Sequence, residues 1–298
     1  MSSRKEPGRL RRTAVALRRS QLDWKTLAPL FFTGLAFLVL FWQPLVTLLR
    51  DWWSDPEAGH GLVLAPLAIV LAWRGGVGAD ARRQPVLGTV ILAGAVLIRY
   101  LSGVAAELFT MRMSLLVAAA ALVIFAFGLR QLQRWWLPAL LLVLSVPLPA
   151  VVTETLAFPL QLEASQIGAG LLDARYVPVQ MSGNVIRLPG HTLFVTEACS
   201  GLRSLSALLS LGLLVGGLWL SAAWSRVLLA AAAIPLAMLL NGIRIFLTGY
   251  LTFYVDPRLA EGVMHYSQGW GLFVAALFCL ILIATAFRKL EQRMRARR

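Results

Sequence analysis

Eight apolar runs punctuate this chain, at roughly 27–49, 60–73, 86–104, 113–129, 135–156, 200–220, 227–252 and 269–287. A helix needs about 20 residues to cross ~30 Å of hydrocarbon. A backbone in lipid must also satisfy its own hydrogen bonds. The pattern therefore predicts an all-α integral membrane protein of about eight transmembrane helices. The second run is short and borrows residues from the loop before it. Composition agrees: 58% of the residues are hydrophobic and 14% charged, against about 45–50% and roughly 25% in soluble domains. A soluble enzyme and a disordered chain are both excluded. Two cysteines and three histidines also exclude a disulfide scaffold and a Cys-rich zinc protein.

The net charge of +14 suggests nucleic acid, but its placement does not. Fourteen of the 28 basic residues lie in two short tails, 1–25 and 288–298. No basic stripe or aromatic platform accompanies them, so no nucleic-acid partner is expected. Threading the chain with its N-terminus inside puts 20 of the 28 basic residues on the inner side, but only 4 of the 14 acidic ones. Both termini are then cytoplasmic, and the bilayer is the constant partner. The domains follow: a basic cytoplasmic leader 1–26, a transmembrane domain 27–287, and a basic cytoplasmic tail 288–298. Trp24, Trp73, Trp135 and Trp224 mark the inner rim; Trp52, Trp53, Tyr254 and Trp270 mark the outer one. The leader is long for a signal peptide, and Arg11-Arg12 reads as ordinary inside charge.

The longest connection, 157–199, is extracytoplasmic in this topology. Leu160 to Leu172 reads as a short amphipathic helix. From Val177 onward, Ser182-Gly-Asn and Pro189-Gly are turn signals between β-branched runs, and they predict a small extended or hairpin segment between helices five and six.

Three polar positions stand out. Cys199, in Glu197-Ala-Cys-Ser-Gly-Leu-Arg203, opens the sixth run. A helix N-terminus and a cation one turn on both favour a thiolate; the alternative is an inert buried cysteine. Cys279, mid-run, fits that alternative better. Asn241 and Arg244 lie inside the seventh run at i, i+3 and share a face. At ~1.5 Å per residue, Arg244 stands about 26 Å in, near the outer rim. A charge within a span is a functional candidate; the alternative is snorkelling to the headgroups. His265, just before the eighth run, is suited to acid–base work near neutral pH, or is a solvated loop histidine. Together they form a minimal set for acyl transfer through a thioester.

These pieces resemble one family. Ala198-Cys-Ser-Gly-Leu-Arg-Ser-Leu, Asn241-Gly-Ile-Arg, His265 before an aromatic-rich last span, and the early Gly59-His-Gly-Leu-Val-Leu-Ala-Pro are similar to the exosortases, within the exosortase/archaeosortase group of membrane transpeptidases. The resemblance covers about 27–287 and implies a catalytic set of Cys199 as nucleophile, Arg244 as oxyanion or substrate stabiliser, and His265 as general acid/base. It assigns Asn241, Arg203 and Glu197 supporting roles. It also implies substrates: exported proteins with a C-terminal sorting signal of the Pro-Glu-Pro type, cut at the outer face of the bacterial inner membrane and passed to an unidentified acceptor. Such systems accompany exopolysaccharide production. No cofactor and no metal is required by this chemistry. Two other readings stay open: a membrane cysteine protease that hydrolyses its acyl-enzyme, and a non-enzymatic polysaccharide transport or assembly protein. The latter predicts polar groups near the midplane and repeated halves, and no repeat is evident.

Overall fold

The structure, a computed structural model, describes residues 24–195, 201–255 and 262–297. The chain forms two compact units, Met1–Gln43 and Pro44–Arg298. The described part of the first contains α1 (Trp24–Leu40), an apolar helix with Pro29 inside it. The second unit starts two residues into α2 (Trp42–Ser54). It continues with α3 (Gly61–Gly75), α4 (Pro85–Val104), α5 (Leu108–Phe127), α6 (Leu129–Arg134), α7 (Trp136–Leu144) and α8 (Ala150–Asp173). A three-stranded sheet of β1 (Gln180–Ser182), β2 (Val185–Leu188) and β3 (His191–Phe194) follows. Then come α9 (Leu202–Trp219), α10 (Ala223–Tyr254) and α11 (Gly262–Ala296).

Among the described residues, five helices are long and apolar enough to cross a membrane: α4, α5, α9, α10 and the Trp270–Ala296 part of α11. A sixth span results if Phe31–Leu40 and Trp42–Ser54, which qualify jointly, count as one. Their outer faces suit hydrocarbon: Val86 is 78% exposed and Val63 on α3 68%.

Three features differ from the sequence reading. The run 135–156 is not one helix. It stops at Leu144 and restarts at Ala150, because Pro147 and Pro149 each lack an N–H and disfavour helix in the residue before them. The helix expected at 160–172 is consequently the second half of α8. The eighth helix does not stop at 287, where its apolar run ends, but runs unbroken to Ala296.

The front of the second unit is joined by polar clasps. Arg112 on α5 is 4% exposed and donates to Asp51 Oδ2 on α2 at 2.6 Å and to the Thr47 carbonyl at 3.3 Å. The break after α7 leaves carbonyls without a helical partner, and side chains take them. Trp52 Nε1 donates to the Ser145 oxygen at 2.7 Å, and His60 Nε2 lies 3.1 Å from that of Leu144. Trp52 is thus a buried anchor, 8% exposed, rather than a rim aromatic. Gln131 holds the loop after α3, accepting from Gly78 N at 2.8 Å and donating to the Gly76 carbonyl at 3.0 Å. Glu107 caps α5 by accepting from Phe109 N and Thr110 N at 2.9 and 2.6 Å. The Thr110 hydroxyl and these amides hold its carboxyl below the ordinary value.

The rear of the unit is packed differently. Helices α8 and α10 approach through glycines: a Cβ on Gly168 would stand 2.5 Å from Ile245 Cγ2, and one on Gly249 2.8 Å from Leu172 Cδ1. Small residues permit this closeness between membrane helices. Leu208, Leu229, Ala233, Ala237, Leu280 and Ala284 form the core of α9, α10 and α11.

The sheet has order β1-β2-β3, antiparallel throughout. Its turns fall at Gly183-Asn184 and Pro189-Gly190, where turn chemistry predicted them. Ile186 and Leu188 are buried with Leu172, Val177 and Ile245, which fixes the sheet to α8 and α10.

Candidate active site

The candidate site lies where α9, α10 and α11 converge. A cavity of about 50 Å³ opens there, lined by Ser204 and Leu208 of α9, Asn241 and Arg244 of α10, and Leu272 and Phe273 of α11, among others. Asn241 and Arg244 thus do share a face. Asn241 is 5% exposed and Arg244 half-buried. At 32 residues, α10 is about 48 Å long, more than the hydrocarbon thickness requires. Arg244 sits in its last third, where Ile245, Phe246 and Tyr250 pack under the sheet.

Asn241 also reaches the start of α9. Gly201, the N-cap of α9, has φ +80°, a conformation glycine adopts without strain. A Cβ there would stand 3.0 Å from Asn241 Cγ and Nδ2. The Asn241 amide therefore abuts the backbone two residues beyond Cys199 in sequence.

The other expected residues divide. Cys199 and Glu197 lie outside the described residues. The backbone of His265 is in the first turn of α11, in a helix rather than the loop before one. Arg203, on the first turn of α9, is exposed and does not line the cavity. Cys279 is an unpaired thiol in the middle of α11.

Two buried charged positions escaped the sequence reading. Arg112 is the sole charge within Leu108–Phe127 and would have stood out had that run been started at Leu108. Glu291, the sole acid in the basic tail, is 7% exposed. It accepts from Ser221 N and Ala222 N at 3.1 Å each, from Ser221 Oγ at 2.6 Å, and from Ser225 Oγ. It thereby caps α10 from across the bundle.

A profile of the transmembrane exosortases matches residues 52–282. No curated protein and no solved structure matches the chain. An α-helical fold with several apolar spans, and a largely apolar cavity bearing Asn241 and Arg244 among its last three helices, already defines a multi-pass membrane protein with a candidate site. The match covers most of the chain, which belongs to the transmembrane exosortase family. That membership makes it a multi-pass membrane protein of a peptidase and transpeptidase class.

Proposed function

We propose that this exosortase cuts a Pro-Glu-Pro-type C-terminal sorting signal of exported proteins and transfers the new carboxyl end to an acceptor through a thioester on Cys199. The reaction takes place at the periplasmic face of the inner membrane, in an eight-span chain with both termini cytoplasmic. The observation that supports it is the cavity bearing Arg244 and Asn241, with Asn241 against Gly201, two residues after Cys199 in sequence.

The steps follow from group chemistry. His265 takes the proton of the Cys199 thiol, and the sulfur attacks the scissile carbonyl. Arg244 stabilises the oxyanion; a charge-assisted donor in a water-poor site is worth far more than in water. The C–N bond breaks, His265 protonates the departing amine, and the acyl group remains on sulfur. His265 then deprotonates the acceptor nucleophile, which displaces the thiolate and releases the product. Asn241 orients Arg244 one turn away on the same face, and Arg203 and Glu197 have supporting roles around this set. The basic tails attract anionic headgroups.

The test is co-expression of an exported, tail-bearing substrate with wild type or Cys199→Ala, and a mass measurement on the cut end. Wild type processes the tail and the mutant leaves it full length. Equal processing by both overturns the thioester reading. An adduct mass shows transfer and a free carboxyl shows hydrolysis.

A further inference from the structure

The sheet has an edge that no other described residue pairs with. Within β2–β3, Val195 N donates to the Asn184 oxygen at 3.0 Å, and Leu188 pairs with His191 across a two-residue turn. Hydrogen-bonded and non-hydrogen-bonded pairs alternate along an antiparallel ladder. His191, Leu193 and Val195 therefore bond to β2, while Thr192 and Phe194 turn their N–H and C=O groups the other way. Among the described residues, no strand or loop backbone pairs with them on that side. Both residues are exposed, Phe194 to 68%.

Natural sheets guard such edges with lysines, prolines or bulges. Strand β3, His191-Thr-Leu-Phe, has none of these. The opposite edge, β1, is a residue shorter and turns only Met181 outward. The unguarded edge is also the one that leads to Cys199, five residues after Phe194. Five residues span at most ~18 Å. The sheet rests on α10 through Ile245, the neighbour of Arg244. A nucleophile attacking a peptide carbonyl needs the chain on either side held extended, and adding a strand to a sheet edge does that with main-chain hydrogen bonds.

We propose that the outer edge of β3 is the docking rail for the substrate polypeptide, which joins the sheet as a fourth strand and so presents its scissile bond to Cys199. The inference rests on the reading of Cys199 as the nucleophile. Affinity comes from the backbone of Thr192 and Phe194. Selectivity comes from alternate substrate side chains, one of which lies beside the Phe194 ring.

The experiment is an N-methyl scan. Peptides spanning the cleavage site, each with a single N-methylated amide, are offered to the full-length protein in lipid nanodiscs. Methylation at amides facing β3 lowers processing about tenfold, because each removes a hydrogen bond and adds bulk. Methylation at the intervening amides changes it little, so the losses recur every second residue. Thr192→Pro and Phe194→Pro, which delete outward donors only, raise KM and leave kcat near wild type. If the proline variants do not fold, the scan on wild type alone decides. A flat scan overturns the inference, and so does a β3-to-β3 dimer by mass with no period-two loss. If Cys199→Ala still cuts, the underlying reading fails first; if it does not cut and the scan is flat, only the docking rail falls.

Discussion

The two ends of the α9–α10–α11 bundle invite comparison. At one end the turn Leu220–Ala222 is tied to α11 by the carboxylate of Glu291, which serves Ser221, Ala222 and Ser225. Arg295 donates to Ser221 Oγ in turn. Arg226 closes over the Trp136 ring, 4.9 Å from its centre, and Trp224 meets Phe287 edge-on. At the other end the polar side chains Asn241 and Arg244 border a cavity. The same three helices are tied by side-chain hydrogen bonds at one end and border a cavity at the other. The closed end fixes the axial position of α11, whose first turn holds His265. Rigid elements hold catalytic groups more accurately than loops do.

The comparison breaks most sharply at Arg244. Arg244→Ala should cut processing at least a hundredfold, the scale of losing one oxyanion donor, with little change in melting in detergent. Arg244→Lys should recover little of it, since an ammonium does not reproduce a planar guanidinium. If the alanine variant processes normally, the open end is not the reaction centre. The closed end should respond in the opposite sense. Glu291→Ala leaves the α10 cap without its acceptor and should cost about 2 kcal/mol of stability, read as a lower melting temperature, while processing measured at low temperature stays within about fivefold. A large loss of activity without a melting change would make the two ends alike. Arg203 gives the smallest expected effect. Exposed and off the cavity, Arg203→Ala should change processing by less than about threefold, because an exposed charge is screened. A tenfold loss in a time course would bring it back into the site.

How much of this was legible beforehand differs by element. The shared face of Asn241 and Arg244 followed from helical spacing alone, which no tertiary contact could alter. The hairpin was legible because Gly183-Asn184 and Pro189-Gly190 carry their turn geometry in their own residues. The break within 135–156 was not read, since the hydrophobic run hides Pro147 and Pro149 and apolarity does not report continuity. The partners of Arg112 and Glu291 lie 61 and 70 residues away respectively, and no local pattern encodes a contact that distant. Trp52 shows the same limit: its interfacial composition suggested a rim, and its carbonyl partner 93 residues on makes it a core residue.

That partner has a consequence for how the chain is made. Trp52 and His60 emerge early in synthesis, but the carbonyls of Ser145 and Leu144 that receive them belong to the end of α7. Arg112 can clasp α2 once α5 is made, but until about residue 150 has left the ribosome Trp52 and His60 lack their carbonyl seats, and the indole N–H must find a temporary acceptor in water or headgroups. The front of the molecule therefore assembles in retrospect, with its first helices waiting for the last one of that half. Nascent chains stopped before α7 should be the ones that membrane quality control removes, and those stopped just after it the first to persist.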